Sequence, residues 1–245
     1  MLQENQDAMG RAMYDYSSSG MKNPRIHEIV ERDDGYIETD AGPAAYFMEY
    51  RRWPAEEKRA LRYARGRVLD IGCGAGRHSL YLQGKGLEVV GIDNSPLIID
   101  ICKKRGLKHA EVVPIKQISS KLGVFDTVLM LGNNFGLFGS FQGAKRLLKK
   151  LSRITSKNAR IITTSNDVYK TDNPVHLKYH EMNRKRGRMA GQLRLRVRYQ
   201  QYTNPWFDYL IVSPEEMEDI LDDTGWRLSR IFDSAGAYYA AVIEK

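Results

Sequence analysis

Apolar residues along the chain follow two rhythms. Short runs rich in β-branched residues occur at Val68 to Ile71, Val89 to Ile92, Ala110 to Val113, Phe125 to Leu131 and Arg160 to Thr164. They read as strands of a parallel sheet, because a strand covered on both faces has no solvent side to keep polar. Between them apolar residues recur at helical spacing: Leu80 and Leu82; Leu97, Ile98 and Ile101; Leu147, Leu148, Leu151 and Ile154. Gly84-Lys85-Gly86 and Gly106 close two of these helices, and Asn94-Ser95-Pro96 opens one with a cap and a first-turn proline. Pro54 followed by Ala55-Glu56-Glu57 opens another, with acids where the helix dipole favours them. Near the end, Ser213-Pro214-Glu215-Glu216 is a capping box before Met217, Ile220 and Leu221, and Gly225 stops that helix. Trp226 to Phe232 and Tyr238 to Ile243 then read as two strands. Strand and helix in alternation predict a doubly wound α/β fold.

Two stretches depart from this alternation. The first 53 residues predict a helical arm or cap: a polar segment to Gly20, a helical turn at Ile26 to Val30, a turn at Asp33-Asp34-Gly35, and a helix through Tyr46, Phe47, Met48 and Tyr50 capped by Thr39 or Asp40. Residues 168–212 exceed what a crossover needs. Pro174 to Met189 reads as a helix ending in Arg184, Lys185, Arg186 and Arg188. Leu193, Leu195, Val197 and Tyr199 then alternate with Arg194, Arg196 and Arg198, a strand with an arginine face, and Asn204-Pro205 turns the chain into a second strand, Trp206 to Val212. The expected organisation is an arm at 1–53, a core at 54–167 and 213–245, and an inserted helix and hairpin at 168–212, serving as lid or substrate platform.

Composition narrows the setting. A chain of 245 residues, 42% hydrophobic, suits one sizeable core with additions. No apolar run reaches the ~18–20 residues of a membrane span, and the polar start from Met1 to Gln6 has no signal-peptide core. The two cysteines, Cys73 and Cys102, sit in a glycine turn and a helix, which argues against a disulfide and for the cytoplasm. Neither they nor the histidines have zinc spacing, so no metal is expected. The net charge of +8 invites anionic partners. Monomer and homodimer remain equally open.

The candidate chemistry lies between Arg67 and Asp93. A strand ends in Asp70-Ile71-Gly72-Cys73-Gly74-Ala75-Gly76, a helix follows, and the next strand ends on Asp93. Glycines permit a tight turn that a ligand can approach closely, with its N–H groups and the helix N-terminus suited to an anionic group. A carboxylate closing the next strand can accept from both ribose hydroxyls. A dinucleotide or a nucleoside with an amino-acid tail satisfies this layout, but Arg77 stands where the dinucleotide fingerprint has its third glycine.

Asp70-x-Gly72-x-Gly74-x-Gly76 with Asp93 resembles the first motif of the class I, Rossmann-like, S-adenosylmethionine-dependent methyltransferases. The resemblance implies a mostly parallel seven-stranded sheet with an antiparallel last strand. It implies S-adenosylmethionine as cofactor and S-adenosylhomocysteine as product. Gly72, Cys73, Gly74 and Gly76 would carry the methionine portion, Asp70 would lie beneath it near the amine, and Asp93, with Asn94, would hold the ribose. The family's acid after the third strand is missing from Pro114-Ile115-Lys116-Gln117, so a backbone amide near Ile115 or Lys116 replaces it, with Ile115 against the adenine. Leu131 and Asn133, after the fourth strand, would face the transferring methyl.

Asn133, Tyr14, Tyr46 and Tyr169 are candidates for orienting the acceptor, and no general base is evident. No Asn-Pro-Pro-Tyr or Asp-Pro-Pro-Tyr run follows the fourth strand and no Pro-Cys pair exists, which argues against two known routes to methylated bases and amides. A small, possibly anionic, molecule is the expected acceptor. RNA or protein methylation through the basic insertion, and a non-catalytic cofactor sensor, are the alternatives.

Overall fold

The computed structural model describes residues 2–39 and 42–245. Its elements, in chain order, are α1 (Ala8–Ser18), β1 (Ile29–Arg32), β2 (Ile37–Thr39), α2 (Ala55–Leu61), β3 (Val68–Ile71), α3 (Arg77–Gly84), β4 (Val89–Asp93), α4 (Pro96–Lys104), β5 (His109–Val112), β6 (Phe125–Met130), α5 (Phe141–Ser152), β7 (Thr155–Asn166), α6 (Pro174–Lys185), β8 (Gln192–Tyr199), β9 (Tyr202–Thr203), β10 (Phe207–Leu210), α7 (Pro214–Leu221), β11 (Arg227–Asp233) and β12 (Tyr238–Glu244). A seven-stranded sheet runs β11-β12-β7-β6-β3-β4-β5. Strands β4 and β5 pair in parallel, as do β6 and β7, while the last strand, β12, is antiparallel to both β7 and β11. This is the doubly wound arrangement the alternation predicts.

The chain divides into two compact units, one of Met1–Trp53, Leu69–Gln117 and Arg194–Phe207, the other of Pro54–Val68, Ile118–Leu193 and Asp208–Lys245. In the first, Met13 of α1 is buried with Ala75 and with Ile98 and Ile101 of α4, and Tyr14, Tyr46 and Phe47 pack around them. In the second, Leu148 and Leu151 of α5 and Met217, Ile220 and Leu221 of α7 are buried. There the indole N–H of Trp226 donates to the Leu148 carbonyl at 3.0 Å.

Several expectations are corrected. Ile26 to Val30 is not a helical turn: β1 begins at Ile29 and pairs antiparallel with β8, Val30 opposite Val197 and Glu31 opposite Arg196. Strand β2 pairs with β1 across the Asp33-Asp34-Gly35 turn, so the first 53 residues are not purely helical. A second sheet, β10-β8-β1-β2 with β9 against β8, therefore draws its strands from both the amino-terminal segment and the insertion, and these are not two separate appendages. β-branched Ile29-Val30 beside the alternating β8 pattern explains the preference for a strand. The helix expected through Tyr46 to Tyr50 is two 3₁₀ turns, Pro43–Phe47 and Tyr50–Arg52. Its expected cap fares no better, since Thr39 ends a strand and Asp40 lies outside the described residues. The fifth parallel strand is longer than 160–164, spanning Thr155–Asn166.

Candidate cofactor site

In the first unit the glycine turn joins β3 to α3. Gly72, Gly74 and Gly76 all adopt left-handed backbone angles, with φ of +67°, +53° and +78°, a region costly for residues with a Cβ. The turn is fastened to the end of β4. The N–H groups of Gly72 and Cys73 donate to the Ile92 carbonyl at 2.8 and 3.1 Å. This corrects the expectation that these two amides face a ligand: they hold the turn in place, and what the turn offers is a surface free of side chains. Tyr46 covers that surface, since a Cβ added to Gly74 would lie 3.2 Å from the Tyr46 ring.

Asp93 closes the site. Its carboxylate accepts from Ser95 N–H at 3.0 Å and, weakly, from Gly74 N–H at 3.4 Å. Burial pushes its pKa up to about 6, the neighbouring charge of Asp7 adds to the rise, and the backbone donors of Ser95, Gly74 and Asn94 oppose it. Asp70 is 2% exposed beneath the turn, where its carboxylate accepts from Ser79 Oγ at 2.6 Å. Burial raises its pKa as well, against the charges of His78 and Arg77. Val113 N–H donates to the Asp93 carbonyl at 2.8 Å, which sets the turn Ile115–Gln117 beside the end of β4. Ile115 is half-buried, whereas Lys116 is exposed. Asn94 is exposed and its carbonyl accepts from Leu2 N–H at 3.2 Å.

Two supports were not legible in the sequence. Asp7 caps α1 through Gly10 N–H at 3.1 Å and also accepts from Ser95 Oγ at 2.5 Å, so it ties the arm to the residue that caps α4. The cap at Ser95 is a sequence signal, but its partner 88 positions away has none. Beneath the turn, Cys102 donates its thiol to the Gly74 carbonyl at 3.0 Å and lies 3.8 Å, sulfur to sulfur, from Cys73. Both thiols are free, and the contact with Cys102 together with burial pushes Cys73 up. Cys73 is therefore a packing residue here. His78 is buried with its ring edge-on to Trp53, 4.5 Å between centroids. Tyr14 packs on the α1–α4 cluster with Lys104 Nζ 5.0 Å from its ring centre.

Leu131, Asn133 and Tyr169 belong to the second unit. Leu131 is buried directly after β6. Asn133, at φ +64°, donates its N–H to Thr164 Oγ1 at 2.7 Å. Tyr169 is 52% exposed, and its hydroxyl donates to Glu216 of the α7 capping box at 2.7 Å. Burial and that carboxylate push Tyr169 up to about 12.

The arginine face of β8 meets an acid. Arg196 donates twice to Glu31, at 2.8 and 2.9 Å, and Arg198 reaches the same carboxylate at 3.4 Å. Among the described residues no helix is long and apolar enough to cross a membrane, and no cluster of three or more His, Cys, Asp or Glu residues is placed to hold a metal.

Comparison with known proteins bears on the family and the fold. Residues 68–158 match the family described as a methyltransferase domain. A methyltransferase from Bacteroides fragilis, solved with S-adenosylhomocysteine, is 25% identical, with a TM-score of 0.83 over 99% of this chain and 96% of that one. A second, from Methanosarcina mazei, shares the fold at 19% identity and a TM-score of 0.57, covering 75% of this chain and 95% of that one. Among curated proteins, the tRNA U34 carboxymethyltransferase of Psychromonas ingrahamii is 40% identical over 74 residues, 26% of this chain and 22% of that protein. The match thus spans about a fifth of that relative's length. Residues 68–158 thus match a methyltransferase domain, and the fold is that of the Rossmann-like S-adenosylmethionine-dependent methyltransferases.

Proposed function

We propose that this protein transfers the methyl group of S-adenosylmethionine to a small-molecule acceptor. The observation that carries the reading is the cradle itself: three left-handed glycines fastened to the end of β4, with the Asp93 carboxylate beside them. The residues fit the cofactor. The turn, bare of its own side chains at three positions, lets an amino-acid tail approach the backbone. Among the described residues the Asp93 carboxylate accepts only from backbone amides, with no side-chain donor, so it retains lone pairs for ribose hydroxyls. Ile115 offers an apolar face for adenine. Bound there, the sulfonium would supply an already electrophilic methyl to the acceptor's lone pair, with the carbon–sulfur electrons returning to sulfur and any acceptor proton leaving to bulk solvent after transfer. The protein's task is to hold the two partners in line and exclude water. Tyr46 and the docked arm cover the cradle side, and Asn133 stands at the carboxyl end of β6, where open α/β sheets take ligands.

A small acceptor is favoured over RNA because the most regular basic feature, the β8 arginine row, is engaged by Glu31 rather than presented bare. The RNA reading keeps one support, the partial match to proteins named as tRNA U34 carboxymethyltransferases. Transfer of tritiated methyl from S-adenosylmethionine into fractionated cell extract tests both. Label in the small-molecule fraction is expected, and label confined to RNA or protein overturns the choice of acceptor. Failure of S-adenosylhomocysteine to bind the purified chain overturns the cofactor as well.

A further inference from the structure

We propose that Tyr209 is a positioning residue: it fixes the Asn133 loop so that the Asn133 amide oxygen accepts a hydrogen bond from an N–H or O–H of the methyl acceptor. This rests on the methyl-transfer reading above, and the contacts that carry it all lie within the second unit.

Asn133 is over-determined at its backbone and unprovided for at its side chain. Its N–H donates to Thr164 Oγ1 at 2.7 Å. Its carbonyl accepts from two sides, from the Tyr209 hydroxyl at 2.5 Å and from Gly136 N–H at 2.9 Å. These bonds hold a non-glycine residue at φ +64°, a conformation that persists only when its surroundings enforce it. The side-chain oxygen, by contrast, is buried with no hydrogen-bond donor among the described residues, and it does not cap the 3₁₀ turn Asn134–Phe138 that it precedes. A buried acceptor without a donor carries a desolvation cost that a donor from a bound molecule would offset. Asn133 follows β6, on the side where the acceptor belongs in a sheet of this kind.

Tyr209 is itself firmly held. Its ring lies across Gly136 so closely that a Cβ there would collide with it. Its strand is tied to the ends of two others: Val212 N–H donates to Ser165 Oγ at 3.1 Å, and the Tyr239 hydroxyl donates to the Val212 carbonyl at 2.9 Å. Ile211 N–H donates to the Gly191 carbonyl at 3.0 Å. The insertion thereby reaches the acceptor loop through one phenol. An acceptor carrying an N–H or O–H beside its nucleophilic atom satisfies the orphan oxygen, whereas a thioether or a tertiary amine does not.

The test uses the full chain and three variants. Tyr209→Phe removes only the hydroxyl. Asn133→Gly removes the amide while keeping a residue at ease with positive φ. Asn133→Asp keeps an acceptor oxygen. Tyr209→Phe should bind S-adenosylhomocysteine as the wild type does, yet exchange its amides over residues 131–139 about tenfold faster. In the tritium-transfer assay on fractionated extract it should lose about tenfold in kcat with the KM for S-adenosylmethionine unchanged. Asn133→Gly should lose at least as much, Asn133→Asp should restore part of the rate, and the double variant should be no worse than Asn133→Gly alone. Unchanged amide exchange in Tyr209→Phe overturns the clamp whatever the transfer assay reads. Wild-type transfer by Tyr209→Phe, or additive losses in the double variant, overturns the positioning role while leaving the methyl-transfer reading intact. A wild-type chain that binds no S-adenosylhomocysteine removes both.

Discussion

Asp93 is where the site's chemistry and its cost meet. Burial raises its pKa to about 6, so at neutral pH it is ionised only against its surroundings. Between the ordinary carboxylate value of 3.8 and about 6 the folded chain holds a proton that the unfolded chain has released, so this residue's contribution to stability falls as pH rises through that window. On the proposed ribose contact, cofactor affinity should run the other way, because only the carboxylate offers both oxygens to ribose hydroxyls. Calorimetric affinity for S-adenosylhomocysteine should therefore drop about tenfold between pH 7 and pH 5, and the melting-temperature increment it confers should shrink in parallel. Asp93→Ala should flatten that profile and weaken binding by about 10- to 100-fold, as the loss of hydrogen bonds to a charged group implies. An equal affinity at both pH values would remove Asp93 from the ribose. Gly74→Ala tests the turn itself. Its φ of +53° and a Tyr46 ring atom 3.2 Å from the new Cβ predict a strain of about 1–2 kcal/mol and a lower melting temperature; an unchanged melting curve would show that the turn adapts freely.

Elements show which kinds of information a sequence carries. The β3–α3–β4 unit was legible down to individual residues because its signals are local: glycines that need positive φ, a strand-ending acid, and a serine–proline helix start. Strand β1 was not. Four residues at Ile29–Arg32 become a strand because β8 pairs with them from more than 160 positions away, and only then does Glu31 stand opposite Arg196. The arginine row itself was plain from its period of two, but the acid that quenches it was not. Glu31→Gln should release Arg196 and Arg198, so the variant should elute from immobilised heparin at higher salt than the wild type, with S-adenosylhomocysteine affinity unchanged. Identical elution would show that the pairs do not hold in solution. The Asp7–Ser95 tie is also non-local, yet each partner is a helix cap. Removing a cap costs about 1 kcal/mol, so Asp7→Ala should lower the melting temperature by about 2–4 °C, and proteolysis should then cut first within the arm. A variant that melts like the wild type would mean that the arm is held by its apolar face alone.

At the scale of the whole molecule, the open question is what the positive charge is for. A net charge of +8 is enough to draw the protein to any polyanion, and such attraction speaks of solubility and encounter more than of substrate. The two readings of the acceptor differ in how they respond to salt. If tRNA were the substrate, several lysines and arginines would neutralise phosphates, and KM for RNA would rise steeply with salt, about 1.6- to 1.9-fold per twofold rise in salt for each phosphate neutralised. A small acceptor held by one orphan amide oxygen would show a shallow dependence, reflecting a charge or two at most. Initial rates of tritium transfer into the labelled fraction, taken at 50 and 200 mM potassium chloride, separate the cases without the acceptor having been identified. The rate should change by less than about twofold if the acceptor is small, since short-range hydrogen bonds are little screened. A collapse of more than tenfold, with the label in RNA, would instead mean that the matched stretch shared with the tRNA enzymes extends to their substrate, and that Glu31 yields its arginines when RNA arrives.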